Sequence, residues 1–138
     1  MIRPVWLLSM DTDQFCAPPM TTGALKSYFV QFGRTAAQSA LELVHFPNRD
    51  GVERWIADTW PTEIRPQAEA ALAAGVTPVL AVSCYTWNVA EFLDVIRQAK
   101  AEVPGLLVVA GGPHVQRAQD FLYGDGIDVV VLGEGEVK

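Results

Sequence analysis

Short apolar runs alternate with stretches of helical period along the whole chain. Residues 4–9 form a continuous apolar run, the pattern of a strand buried on both faces. Leu25, Tyr28, Phe29 and Phe32 then recur at i, i+3, i+4 and i+7, so they share one face of a helix over residues 23–32 that Gly33 closes. Residues 39–46 set Leu41 and Leu43 against Glu42 and Val44 and read as a second strand nearer a sheet edge. Val52, Trp55 and Ile56 suit a short helix within residues 50–60. Pro61 and Pro66 are expected to forbid one long helix there, with Pro66 in the first turn of a helix that runs to Ala74 and stops at Gly75. Residues 77–83 are the third strand. Asn88 with Glu91 three positions later predicts a capping box at the start of a helix buried through Val89, Phe92, Leu93 and Ile96. Residues 106–110 make the fourth strand, residues 116–123 a short helix and residues 127–132 the fifth strand.

Strands alternating with helices imply the α/β class with a parallel sheet covered on both faces. Right-handed crossovers leave few topologies. The expectation is one domain over residues 1–138, a flavodoxin-like or Rossmann-like five-stranded parallel sheet in the order 2-1-3-4-5. In such folds a ligand sits beyond the C-terminal ends of the strands, at the switch between the first and third. The informative loops therefore follow Ser9, Ser83, Ala110 and Leu132.

Composition narrows the ligand. The chain has 138 residues, half of them hydrophobic, enough for one core. Ten Lys and Arg stand against 16 Asp and Glu, a net charge of −6, which argues against a nucleic-acid backbone as partner. No apolar run reaches the roughly 18 residues that cross a membrane. The two cysteines, Cys16 and Cys84, form neither a disulfide framework nor a metal-spaced cluster, so a cytoplasmic setting is expected. The sequence stops without a recognisable end, and a longer parent chain is expected.

The loop after the third strand reads Ser83-Cys84-Tyr85-Thr86-Trp87-Asn88. Its hydroxyls, phenol and indole can hydrogen-bond a polar ligand and pack on a flat one. The plain alternative is a loop whose Asn88 caps a helix and whose Trp87 plugs the core. After the fourth strand come Gly111-Gly112-Pro113-His114, where paired glycines allow close backbone approach to a bulky group or simply make a tight turn. The fifth strand ends in Gly133-Glu134-Gly135-Glu136, an acidic turn or a surface linker. Asp11, Thr12 and Asp13 after the first strand offer two carboxylates for a Mg²⁺ ion, as in a phosphoacceptor receiver. A receiver also needs an Asp ending its third strand and a Lys ending its fifth, and Ser83 and Gly133 stand there instead. Dinucleotide (GxGxxG), phosphate-loop (GKS/T) and nucleophile-elbow motifs are absent from these loops.

In combination, SCYTWN, AGGPHV and IDVVVLGEGE resemble the N-terminal cobalamin-binding domain of cobalamin-dependent radical S-adenosylmethionine enzymes, many of them methyltransferases. The resemblance runs from Pro4 to Glu136 and is strongest from Val79 onward. It implies cobalamin as cofactor and a cofactor-binding set of Asp11, Thr12, Ser83, Tyr85, Thr86, Trp87, Gly111, Gly112, Pro113, Gly133 and Glu134, with no metal-ligating residue. Within that set, Ser83, Tyr85 and Thr86 match the segment along the nucleotide tail of cobalamin. Gly111 and Gly112 match the glycine pair beside which that tail threads, and Gly133 and Glu134 match the motif near the next domain. Methionine synthase and the cobalamin mutases carry DxHxxG after the first strand, with the His on cobalt. Here Asp11 matches the Asp, but Asp13 stands at the His position and Cys16 at the Gly. Since a carboxylate is a poor substitute for imidazole, base-off, His-off binding is expected. His45 reads as structural and away from the switch point. The CxxxCxxC motif that holds the family's [4Fe–4S] cluster is missing from these residues. The resemblance therefore puts the cluster, S-adenosylmethionine and the radical domain elsewhere in a parent chain. A flavodoxin-like binding or regulatory domain without corrin, or a free-standing corrinoid carrier, are the competing readings.

Overall fold

A computed structural model describes residues 1–12, 19–117 and 126–133. Its strands are β1 (Arg3–Met10), β2 (Ser39–Phe46), β3 (Val79–Ser83), β4 (Leu107–Gly111) and β5 (Val129–Val130). They form one parallel sheet in the order β2-β1-β3-β4-β5, as the alternation of runs predicts. Helix α1 (Met20–Phe32) follows β1, and a single 3₁₀ turn at Ala36–Gln38 leads into β2. Gly33 occupies the C-cap of α1 in extended conformation, its N–H bonding to Phe29 O at 2.7 Å. The expected fifth strand is shorter than residues 127–132. Of the expected helix over residues 116–123, Gln116 and Arg117 are non-helical and the remainder lies outside the described residues.

Between β2 and β3 the chain departs from expectation. Helix α2 (Arg49–Arg54), a π-helical segment (Trp55–Ile64) and helix α3 (Arg65–Ala73) follow without a break, their junction residues all in right-handed helical conformation. Pro61 therefore does not end the helix. In i→i+5 bonding the N–H of the residue after a proline can reach the carbonyl that the proline leaves free, so the coil can continue past a residue that has no donor. Asn48 caps α2 by accepting from Gly51 N at 3.0 Å. Pro66 is the second residue of α3, but it follows the π-helical segment inside one continuous coil rather than opening a free helix. The wide turns place Trp55, Trp60 and Ile64 in the core, where Phe46 meets Trp55 edge-on and Trp55 tilts against Trp60.

The side-chain period of two separates the sheet faces. Even-numbered positions, including Trp6, Leu8, Leu80, Val82, Val108 and Ala110, pack with the π-helical segment, α3 and α4 (Val89–Glu102) in the main core. Phe92, Val95, Ile96 and Ala99 are the buried stripe of α4, with Val89 and Leu93 half-buried at its margin. Odd-numbered positions on the other face meet α1 far less completely. Among the described residues, no helix is long and apolar enough to cross a membrane.

Trp60 is fully buried, and its indole N–H donates to Glu102 Oε2 at 2.9 Å, where Arg65 also donates at 3.2 Å. The Trp60 bond, first, and then Gln98 and Arg65 hold the Glu102 carboxyl below its ordinary pKa, against a smaller opposing push from desolvation. A carboxylate with a depressed folded pKa contributes stability above its unfolded pKa and loses it as pH falls through the folded value. Because Glu102 is exposed, solvent screening discounts this gain, and Glu102→Gln should lower stability only slightly at neutral pH. Urea unfolding across pH should show that deficit shrinking under acid conditions; a deficit independent of pH would refute the role of the charge.

Candidate cofactor cleft

The open face of the sheet bears a cleft of about 1280 Å³. That exceeds the roughly 300–1,000 Å³ of ordinary small-molecule pockets. Its floor is the odd-numbered row Val5, Leu7, Val79, Ala81, Leu107 and Val109, and its wall is the apolar face of α1. Leu25, Tyr28, Phe29 and Phe32, expected to share one helix face, line the cleft together, with Tyr28 41% and Phe32 60% exposed and their rings 4.8 Å apart. At the C-terminal end of the strands the lining passes to Ser83, Gly111, Gly112, Pro113 and Gly133.

A second hollow of about 320 Å³ lies at the β1/β3 switch point. Asp11, Ser83, Tyr85 and Trp87 line it together with Ser9, Thr21, Thr22 and His45. Ser83 and Thr21 border both cavities, so the two are adjacent. Of the eleven residues in the cofactor-binding set singled out from the sequence, eight therefore border these cavities. Thr86 is exposed and borders neither, and Glu134 lies outside the described residues. Thr12 borders neither as well: its N–H bonds to Asp11 Oδ1 at 2.8 Å, and its hydroxyl is buried without a partner. Asp13 and Cys16 also lie outside the described residues.

The two glycines of the Gly-Gly pair do different things. Gly112 adopts φ +104°, and a Cβ there would sit 2.6 Å from Cys84 O and 2.7 Å from Cys84 N. Its missing side chain lets two backbones touch. Cys84 N donates to Gly111 O at 2.7 Å, and His114 N donates back to Cys84 O at 3.1 Å. Gly111 faces the cleft, and a Cβ there would make only ordinary contact with Val131, at 3.5 Å. Gly111 is thus the glycine whose side chain would occupy cleft space, while Gly112 holds the frame. Burial pushes the Cys84 thiol up to about 12, so it is an inert core group.

Asn88 stands at the N-cap of α4, yet its side chain makes no capping bond. It turns back into the preceding loop, where Oδ1 accepts from Tyr85 N at 2.8 Å and Nδ2 donates to Ser83 O at 3.0 Å. The residue is fully buried. The expected capping box is absent: Glu91 instead meets Arg49 at 3.8 Å. The loop so fixed presents Tyr85 and Trp87 as a stacked pair with ring centroids 4.5 Å apart. Trp87 is 44% exposed rather than a core plug, and its indole N–H donates to Met10 O at 3.0 Å. The Tyr85 hydroxyl reaches Thr21 Oγ1 at 3.5 Å. The pair thereby spans from the β3–α4 loop to the end of β1 and the start of α1.

His45 is not remote from the switch point. It is the register partner of Ser9, whose hydroxyl lies 2.8 Å from its Nδ1 and 3.5 Å from Thr22 Oγ1. The one available signal in the sequence was its place at the C-terminal end of a strand beside β1. Thr21 and Thr22 carried no periodic signal.

Asn88→Ala should destabilise the chain by about 2–3 kcal/mol, because Tyr85 N–H and Ser83 C=O both lose a buried partner. Gly112→Ala should cost clearly more than Gly111→Ala, through strain at positive φ and backbone overlap. Denaturant unfolding tests both. A neutral Asn88→Ala, or equal costs at the two glycines, would contradict these assignments.

Comparison with known proteins bears on this architecture. The B12 binding domain family matches residues 48–138. The chain is 37% identical over 142 residues to a 2-(S-pantetheinyl)-carbapenam-3-carboxylate methyltransferase of Streptantibioticus cattleyicolor, covering 97% of this chain and 17% of that protein. It is 32% identical over 137 residues to the cobalamin-dependent radical SAM methyltransferase TokK of Streptomyces tokunonensis, covering 98% of this chain and 18% of that protein. The chain thus spans less than a fifth of the length of these relatives. With a 2-1-3-4-5 parallel sheet and matches across nearly its whole length, the chain belongs to the B12-binding domain family.

Proposed function

We propose that the chain binds cobalamin base-off and His-off, with the nucleotide tail in the cleft between α1 and the open sheet face. On this reading it presents the corrin to a radical S-adenosylmethionine domain of the same parent chain, for methyl transfer to carbon or phosphorus. The observation that carries the reading is the Gly111-lined entry to a large apolar cleft. A flat benzimidazole matches a floor of Val79, Ala81, Leu107 and Val109, and the glycine leaves its path clear. Ser83, Gly111, Pro113 and Gly133 would flank the tail where it enters. The stacked Tyr85–Trp87 pair, exposed at the mouth, would meet the flat corrin. Gly112 and Asn88 act indirectly by fixing the two loops. Asp11 lines the adjoining hollow and, from its place on the switch point, would face the corrin rim.

When bound, cobalamin supplies a carrier for the methyl group. The chain's own residues bind and orient it and keep water from the tail. An iron–sulfur cluster and S-adenosylmethionine would belong to the radical domain of the parent. The His-off assignment has support in the residues themselves. Asp13 stands where the cobalt-ligating His of DxHxxG would be, and the His45 ring in the hollow is engaged by Ser9 through Nδ1.

Incubation with hydroxocobalamin followed by desalting should leave corrinoid on the protein with a base-off absorption spectrum. His45→Ala should leave that spectrum unchanged. No retained corrinoid, in the chain or in its full-length parent, would contradict cobalamin binding and favour a flavodoxin-like module without corrin. A spectrum altered by His45→Ala would contradict the His-off assignment alone.

A further inference from the structure

The cleft has a second end that the tail reading leaves unused. Arg3 opens β1 opposite its register partner Ser39, and Arg34 and Thr35 follow α1; all four line the cleft. A strand advances about 3.3 Å per residue, so Arg3 lies roughly 20 Å along β1 from Ser9 and the mouth. The electrostatics of this end are unusual for a chain of net charge −6. Among the described residues lining the cleft, none is Asp or Glu, and both charged groups are guanidiniums. The ion pairs among the described residues draw their cations from Arg49, Arg65, Arg97 and Lys100, not from Arg3 or Arg34. The Arg3 Nε is buried and has no hydrogen-bond partner among the described residues. A buried N–H donor without an acceptor is a standing cost that an arriving acceptor removes.

We propose that this N-terminal end of the cleft is an oxyanion subsite in which Arg3 and Arg34 hold a phosphate group. The hydroxyls of Thr35 and Ser39 supply further donors. Guanidinium groups suit this ligand because their planar N–H fork matches two phosphate oxygens at once. The apolar floor lowers the local dielectric and strengthens the attraction. The phosphate is either a free ion or part of a nucleotide; the phosphodiester of a corrinoid held at the mouth lies next to the corrin and does not reach this end. The inference rests on the charge and burial of this end and stands whether or not a corrin occupies the other.

The test is a titration of the purified chain with inorganic phosphate at constant ionic strength, read by ³¹P line broadening and calorimetry. Saturable binding is expected, weakened about tenfold or more by Arg3→Gln and by Arg34→Gln, with Arg3→Lys in between. Far-UV circular dichroism checks that each variant folds. Because Arg34 is exposed beyond the end of α1, its variant carries the test if Arg3→Gln does not fold. Two arms separate the sources. If a nucleotide is the ligand, adenosine 5′-monophosphate displaces inorganic phosphate and binds more tightly than it. If a free ion is the ligand, the nucleotide binds no more tightly than inorganic phosphate. Unsaturable phosphate binding, or binding indifferent to both Gln variants, would overturn the proposal.

Discussion

The site depends on one close approach, that of the Gly112 backbone to the backbone of Cys84. A Cβ at Gly112 would stand 2.6 Å from the Cys84 carbonyl oxygen, so no other residue fits without displacing β3 or β4. Because the two strand ends touch, Cys84 exchanges backbone hydrogen bonds with both Gly111 and His114. This clip extends the β3–β4 pairing one step beyond the sheet and fixes the departure of both loops. Asn88 completes the frame from the other side, tying Ser83 and Tyr85 with one buried amide. The aromatic pair at the mouth and the glycine at the cleft entry owe their positions to these few bonds.

A second constraint is the asymmetry of the sheet. Even-numbered strand positions carry Trp6, Leu8, Leu80 and Val108 into a sealed core against the helical stretch from α2 to α3 and against α4. Odd-numbered positions carry an aliphatic floor of Val, Leu and Ala, and the helix above them leaves its aromatic face half exposed. The sealed face supplies stability while the open face retains room. A ligand that enters this cleft replaces water over apolar side chains already in place, so binding draws on burial the fold has left undone.

Strand order and most helix positions were legible in the sequence, because periods of 2 and 3.6 and the Gly–Pro punctuation are local signals. The failures have specific causes. Pro61 looked like a helix breaker, since a π-helical turn tolerates proline without any local signature. Asn88 fitted a capping box, yet a side-chain amide can serve the loop before it as well as the helix after it, and only packing decides. Periodicity marked one face of α1 but cannot distinguish a face that packs on a sheet from one that walls a cleft. His45 was set aside because its nearness to the switch point depends on the register of β2 against β1, a long-range fact. The roles of Gly111 and Gly112 could not be separated for a similar reason: adjacent strand-end residues point to opposite sides, and only the conformation shows which side is full.

The central claim is that the open-face cleft receives the nucleotide tail past Gly111. The most direct measurement compares the affinities of cobalamin and of cobinamide, which lacks that tail, in the chain and in Gly111→Leu. The Leu side chain fills cleft space at a position where its Cβ meets only ordinary contact, so the fold should persist. The account predicts that the chain prefers cobalamin by about tenfold or more, and that Gly111→Leu abolishes the preference while leaving cobinamide affinity unchanged. Equal binding of the two corrinoids by the chain, or a preference that survives Gly111→Leu in the folded variant, would contradict it.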